Sequence, residues 1–163
     1  MVSNQDKDWW CKHGEGLEYE FLQRSFDRVK VERNPDKDGN PFAYDMVMRG
    51  PCDLKTITTP WRKSQEFWGI DPRNAVSINR KDLRRYARLY PEITIVFDVQ
   101  YPEHRTVRYA GLWMMQRLLR EGKLHLHEYL ARMGRSDGNA KESYVFDVTL
   151  LPELREVGDD ATK

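Results

Sequence analysis

The sequence predicts a single α/β domain in which a central mixed β-sheet is flanked by helices, and three observations carry that prediction. Strand-like segments alternate with segments of helical periodicity. The run ITIVFDVQY at 93–101 is nearly continuous in β-branched and aromatic residues, and clusters of Pro, Gly and Asx residues separate the pieces. The 163 residues are enough for one core and few for two, so one domain spanning 1–163 is expected, with 1–13 and 153–163 less ordered.

Taken in order, Leu17, Phe21, Leu22, Phe26 and Val29 recur at helical spacing, which predicts a helix over 15–29 entered through the turn-like KHGEG. NPDKDGNP follows as the strongest loop signal in the chain. FAYDMVMRG and CDLKTITT then predict two short strands joined by a tight turn at Arg49, Gly50 and Pro51. WRKSQEFWGIDPRN is expected to be irregular. KDLRRYARLYP predicts a helix capped by Asn79 and stopped by Pro91. ITIVFDVQY is a strand buried on both faces. TVRYAGLWMMQRLLREG and LHLHEYLARMG are expected to be helical or part-helical, SDGN a turn, and SYVFDVTL a last strand.

A hydrophobic fraction of 39% with 33% charged residues is that of a folded soluble chain. No stretch approaches the ~18 consecutive apolar residues of a membrane helix. The start, MVSNQDKDWW, is acidic and polar where a signal peptide is basic and then apolar, so a cytoplasmic protein without membrane association is expected. Cys11 and Cys52 have no disulfide-scaffold or metal-pair spacing and read as buried thiols. The net charge of +1 announces no polyanion partner, but basic residues crowd Arg73–Arg88 and acidic ones the tail after Pro152.

The chemistry concentrates at Asp45 and the triplet Asp53-Leu54-Lys55. Residues two apart on a strand share a face, so Asp53 and Lys55 point together while Leu54 points into the core. A hairpin that sets Asp45 beside Asp53 converges two hard carboxylates next to a lysine, a set suited to Mg²⁺ or Mn²⁺. Such a site has a logic for phosphodiester hydrolysis, in which the cation acidifies water and neutralises charge growing on the phosphate. Lys55 then orients or helps deprotonate that water, or acts as a point charge; the residues alone leave the base open.

The stretch NPFAYDMVMRGPCDLKT resembles the pattern of the PD-(D/E)xK nuclease superfamily, in which an acid on one strand precedes an acid-x-lysine triplet on the next, after a helix carrying a glutamate. GEGLEYEF, with Gly14 followed by Glu18, resembles the first helix of archaeal Holliday-junction resolvases in that superfamily. Tyr44 stands where the pattern's name has proline, and Asp53 where glutamate is common. The resemblance covers residues 14–101. It implies a restriction-endonuclease-like fold and an Mg²⁺-dependent deoxyribonuclease, an endonuclease on duplex or branched DNA, with Glu18, Asp45, Asp53 and Lys55 catalytic. The metal would be held by Asp45, Asp53, Glu18 and the backbone carbonyl of Leu54. Many members act as homodimers, and a short single-domain nuclease suits a bacteriophage or mobile element. Glu20 is the rival of Glu18, since the two face different sides of the helix.

The basic helix adds Lys81 and Arg84 as candidate phosphate contacts, which position a duplex without reading its sequence. Against these readings stand plainer ones. The aspartates are common at turns, Lys55 is a suitable edge-strand charge, and charge runs are usually solvated faces. Two acids among apolar strand residues are costly to bury by accident, which favours a shared site. Trp61, Trp68 and Tyr86 have the shape to stack on bases, but satellite core is the expectation for them. His125 and His127 lack the further ligand a zinc-like set needs, and His13, His104, Asp98 and Asp147 carry no role. The alternative function is a catalytically silent module of the same fold that binds nucleic acid or a protein partner.

Overall fold

The computed structural model describes residues 6–23, 31–40, 43–47, 50–129 and 142–155. A mixed five-stranded sheet has the order β1 (Glu32–Arg33), β2 (Met46–Val47), β3 (Pro51–Ile57), β5 (Thr94–Tyr101), β6 (His104–Gly111). Only the β3–β5 pair is parallel; the other neighbours run antiparallel. A second sheet has the order β4 (Ala75–Asn79), β8 (Glu142–Asp147), β7 (His125–Glu128) and is antiparallel throughout. Helices α1 (Asp6–Leu22), α2 (Ser64–Trp68), α3 (Arg80–Leu89) and α4 (Leu112–Arg120) complete the described elements.

The main sheet has a core on each face. Phe21 of α1 packs with Met46, Cys52, Leu54, Val96 and Val107 on one face. On the other, Phe97 and Val99 meet Leu83 and Tyr86 of α3, Met115 and Leu118 of α4, and Phe146 of the second sheet. Phe97 and Phe146 join the two sheets edge to face at 5.3 Å. A side chain buried as completely as Phe97 stabilises by about 1.5–3 kcal/mol. β5 explains its composition, because Ile95 through Val99 are buried in succession between the two cores, as expected for ITIVFDVQY.

Several elements depart from the sequence expectation. α1 begins well before Glu15 and carries Gly14 and Gly16 inside it, despite the ~1 kcal/mol each glycine costs a helix. It ends at Leu22; Phe26, Val29 and Arg49 lie outside the described residues, as does the SDGN turn. The expected irregular stretch holds α2, and the residues after it form β4. Asn79 does occupy the position before α3, but its side-chain oxygen accepts from Ser143 Oγ at 3.0 Å and does not cap the helix. TVRYAG belongs to β6, which returns from β5 through a turn at Pro102–Glu103, so helix begins only at Leu112. HLHE is β7, with Leu126 and Glu128 outward. Among the described residues no helix is long and apolar enough to cross a membrane.

Candidate active site

The hairpin register Met46↔Cys52 sets the flanking residues Asp45 and Asp53 opposite each other. Both are buried, at 6% and 5% exposure, on the sheet face away from Leu54. Their carboxyl groups hydrogen-bond, and Glu18 reaches Asp45 from α1, so the three acids form a row with Asp45 in the middle. Glu20 is exposed and lines a different cavity, with Asp98 and Arg105. Of the two rivals, Glu18 is the residue that joins the cluster.

Lys55 shares the Asp53 face, as strand periodicity requires, and its Nζ lies 2.7 Å from Asp53 Oδ2. Leu54 turns into the α1-side core as expected. Its backbone contribution in this arrangement is the N–H, which donates to Asp45 Oδ2 at 3.3 Å.

Four residues that the motif did not single out complete the cluster. Asn34 is buried, donates its amide to the Tyr44 carbonyl at 2.9 Å and accepts from the Asp36 N–H at 3.1 Å, while its own N–H donates to the Asp45 carbonyl at 3.0 Å. This pins the 3-10 turn Pro35–Asp38 beside Asp45, and Lys37 of that turn donates to Asp45 Oδ1 and stands 3.7 Å from Glu18 Oε1. From α3, Tyr86 donates its hydroxyl to Asp53 Oδ2 at 2.5 Å, and Asp82 accepts from Lys55 at 3.3 Å. Positions 82 and 86 are one helical turn apart and share the face whose side chains reach β3. Tyr86 is therefore a core residue, as expected, whose ring is buried and whose hydroxyl in addition bonds Asp53. Lys81 and Arg84 are exposed on the other side of α3 and are not brought to the cluster.

Electrostatics differentiates the three acids. Burial, then the charge and hydrogen bond of Asp53, push the Asp45 carboxyl up to about 7, although Lys37 pulls the other way. Burial also raises Glu18. Asp53 is disfavoured by burial as well, but Lys55, Asp45 and the Tyr86 hydroxyl outweigh this and hold it below the ordinary carboxylate range. At neutral pH the row thus keeps a proton on Asp45 for part of the population and a full charge on Asp53. Burial works against the Lys55 charge, yet Asp53, the Tyr86 oxygen and Asp82 hold it well above the usual lysine range. Lys55 is an ammonium here, suited to orient water or stabilise an anion and unsuited to accept a proton. Cys52 is buried and its thiol is pushed far up by burial and the neighbouring acids, which leaves it inert, as expected; the Cys11 side chain lies outside the described residues.

The remaining singled-out aromatics lie apart from the acids. Trp61 and Trp68 pack, partly buried, on Ile70, Ala75 and Val145, which agrees with satellite core. His125 stacks on Trp68 at 6.1 Å, and His127 lies edge-on to Trp61 at 5.0 Å, so both are aromatic packing partners.

No family model matches the chain, and no curated protein matches it. Among solved structures, the chain is similar to D212, a nuclease from a fusselovirus, at 11% sequence identity and a TM-score of 0.45, over 78% of this chain and 71% of that one. That likeness is too distant to transfer residues or activity.

Proposed function

We propose that the chain is a metal-dependent deoxyribonuclease of the PD-(D/E)xK type that hydrolyses phosphodiester bonds in duplex or branched DNA. The observation that carries the reading is the pair of buried acids Asp45 and Asp53, side by side across a hairpin, with Lys55 bound to Asp53. Burying two such charges is expensive unless a cation or a shared proton compensates them.

The donor set fits Mg²⁺ or Mn²⁺. Three carboxylates offer hard oxygens, and the charge of the row is offset by a proton on Asp45 and by the Lys37 ammonium against Asp45 and Glu18. Among the described residues no three carboxylate, histidine or cysteine side chains converge on one point in this arrangement. Lys37 would compete with a cation for Asp45 and Glu18. Asp45, Asp53, Glu18 and the Leu54 carbonyl would hold the ion, which supplies Lewis acidity and a lowered water pKa.

The chain's own residues do the rest. Lys55, fixed between Asp53 and Asp82, presents a permanent positive charge where the attacked phosphate gains negative charge. Lys55 keeps Asp53 ionised, and the Tyr86 hydroxyl helps to hold and aim it. Lys81 and Arg84, exposed on the side of α3 away from the acids, would contact the backbone of a duplex long enough to reach them.

The test is a panel of supercoiled, linear, single-stranded, flapped and four-way-junction DNA incubated with Mg²⁺ or Mn²⁺. Wild type should cleave at least one member, and Asp53→Asn and Lys55→Ala should each lose ~100-fold or more. The second reading is the catalytically silent module, favoured by the Lys37–Asp45 pair that fills the acid row. Folded wild type that cleaves nothing and binds DNA equally well with and without metal would establish it.

A further inference from the structure

We propose that the cleft beside the acid row seats one unpaired nucleotide of the substrate strand, its base stacked on Trp61, so that the enzyme selects DNA in which a single strand leaves a duplex. This rests on the nuclease reading above and narrows its substrate.

The cleft has a volume of about 510 Å³, within the range of small-molecule sites, and Glu18 and Lys55 line it together with Trp61 and Ser77. One wall runs in chain order along the end of β3 and its exit, from Lys55 through Thr56, Thr58 and Thr59 to Trp61. Extended residues advance about 3.3 Å each, so the wall leads away from the reactive end toward the indole. Threonine and serine hydroxyls along it suit phosphate and sugar oxygens and read no base. Exposed Arg62 and Lys63 follow Trp61 directly and add positive charge beyond it.

Trp61 is held in place by other rings: Trp68 at 5.8 Å, His127 at 5.0 Å and Tyr129 at 6.2 Å. The buried core beneath is small, only Ile70, Ala75 and Val145, and Trp61 and Trp68 are partly buried against it. Phe67 and Tyr129 of the same group are 53% and 43% exposed. The packing accounts for the rigidity of Trp61 and leaves its cleft-lining surface without a structural purpose. A rigid indole at the edge of a phosphate-handling cleft suits an exposed base face, which a stacked duplex does not present and a flap or frayed end does.

The test uses Asp53→Asn protein, to prevent cleavage, and two DNAs of equal length, a flapped duplex and a flush duplex, each with 2-aminopurine at the first nucleotide beyond the branch or its duplex equivalent. Stacking should change the probe's fluorescence in the flap and leave it unchanged in the flush duplex. Adding Trp61→Leu should abolish that change and reduce the preference for flap over flush duplex roughly 5- to 100-fold, whereas Trp61→Phe should retain most of both. No fluorescence change with the Asp53→Asn protein overturns the proposal without recourse to any Trp61 variant. So does an unaltered preference in Trp61→Leu protein of unchanged circular dichroism and melting. Wild type that cleaves flapped and flush DNA with equal efficiency sinks the stacking site alone; wild type that neither binds nor cleaves any DNA sinks the nuclease reading with it.

Discussion

The hydroxyl of Tyr86, on α3, donates to Asp53 of β3 across 2.5 Å, linking two residues 33 positions apart in the sequence. Lys55 contacts the same carboxylate oxygen at 2.7 Å, so Oδ2 of Asp53 is doubly bound. An acid held in this way has one orientation and a permanent charge, which a metal ligand needs.

Tyr86→Phe keeps the buried ring and removes only the donor. A hydrogen bond to a charged group contributes about 1.5–3 kcal/mol, so chemical denaturation in the absence of metal should show a loss in that range or slightly below it. Metal-dependent cleavage should fall about tenfold, with weaker Mn²⁺ binding by calorimetry. Unchanged Mn²⁺ affinity together with unchanged cleavage would mean that Tyr86 merely packs.

Lys55→Met should separate metal binding from chemistry. The ammonium is not a metal ligand, so Mn²⁺ affinity should stay within a few-fold of wild type while cleavage falls by ~10²–10³. Stability should drop by a few kcal/mol at most, because the lysine side chain keeps 24% exposure and Tyr86 still bonds Asp53. Equal losses in binding and turnover would instead assign Lys55 to shaping the acid row.

The acid pair and its lysine were legible in the sequence because they depend on local rules: a hairpin fixes which residues face each other, and period two fixes which side chains share a face. Lys37, Asp82 and Tyr86 were not legible, because their positions depend on tertiary packing. Lys37 arrives through a loop that Asn34 pins to the hairpin, and Asp82 and Tyr86 reach β3 only because α3 packs against β4, β8 and α4. The basic residues of that helix drew attention to Lys81 and Arg84, on the opposite side. Strands were lost where alternation is imperfect. In β6, Val107 and Tyr109 pack on one core and Ala110 on the other, so no apolar–polar alternation marks it, and β7 points Leu126 to solvent while its histidines pack on tryptophans.

Lys37→Met tests whether this ammonium competes with the metal. The lysine lies against Asp45 and within 3.7 Å of Glu18, so its removal leaves more negative charge and only Lys55, on Asp53, as counter-cation within the cluster. Metal-free protein should lose stability, and Mg²⁺ or Mn²⁺ should bind roughly tenfold more tightly, a difference of about 1.4 kcal/mol. Weaker metal binding in a folded variant would show that Lys37 organises the acids and does not compete for them.

The raised carboxyl of Asp45 sets the pH dependence of the metal-free protein. Its ordinary value is 3.8 and the fold lifts it to about 7, so between those limits the native state binds more protons than the unfolded chain. Stability from this group is therefore full below about pH 4 and declines as pH rises through 7, with a slope of at most about 1.4 kcal/mol per pH unit. Glu18, also raised, acts in the same direction, whereas Asp53, lowered, contributes stability that is lost only at more acidic pH. Asp45→Asn removes the decline: with chelator present, its stability relative to wild type should improve steadily from pH 5 to pH 7.5. Adding Mg²⁺ at pH 7.5 should then stabilise wild type far more than the variant, since the cation replaces the proton that wild type is losing. A stability difference between the two proteins that stays flat across this range would mean that Asp45 is already ionised at pH 5, its charge offset by Lys37.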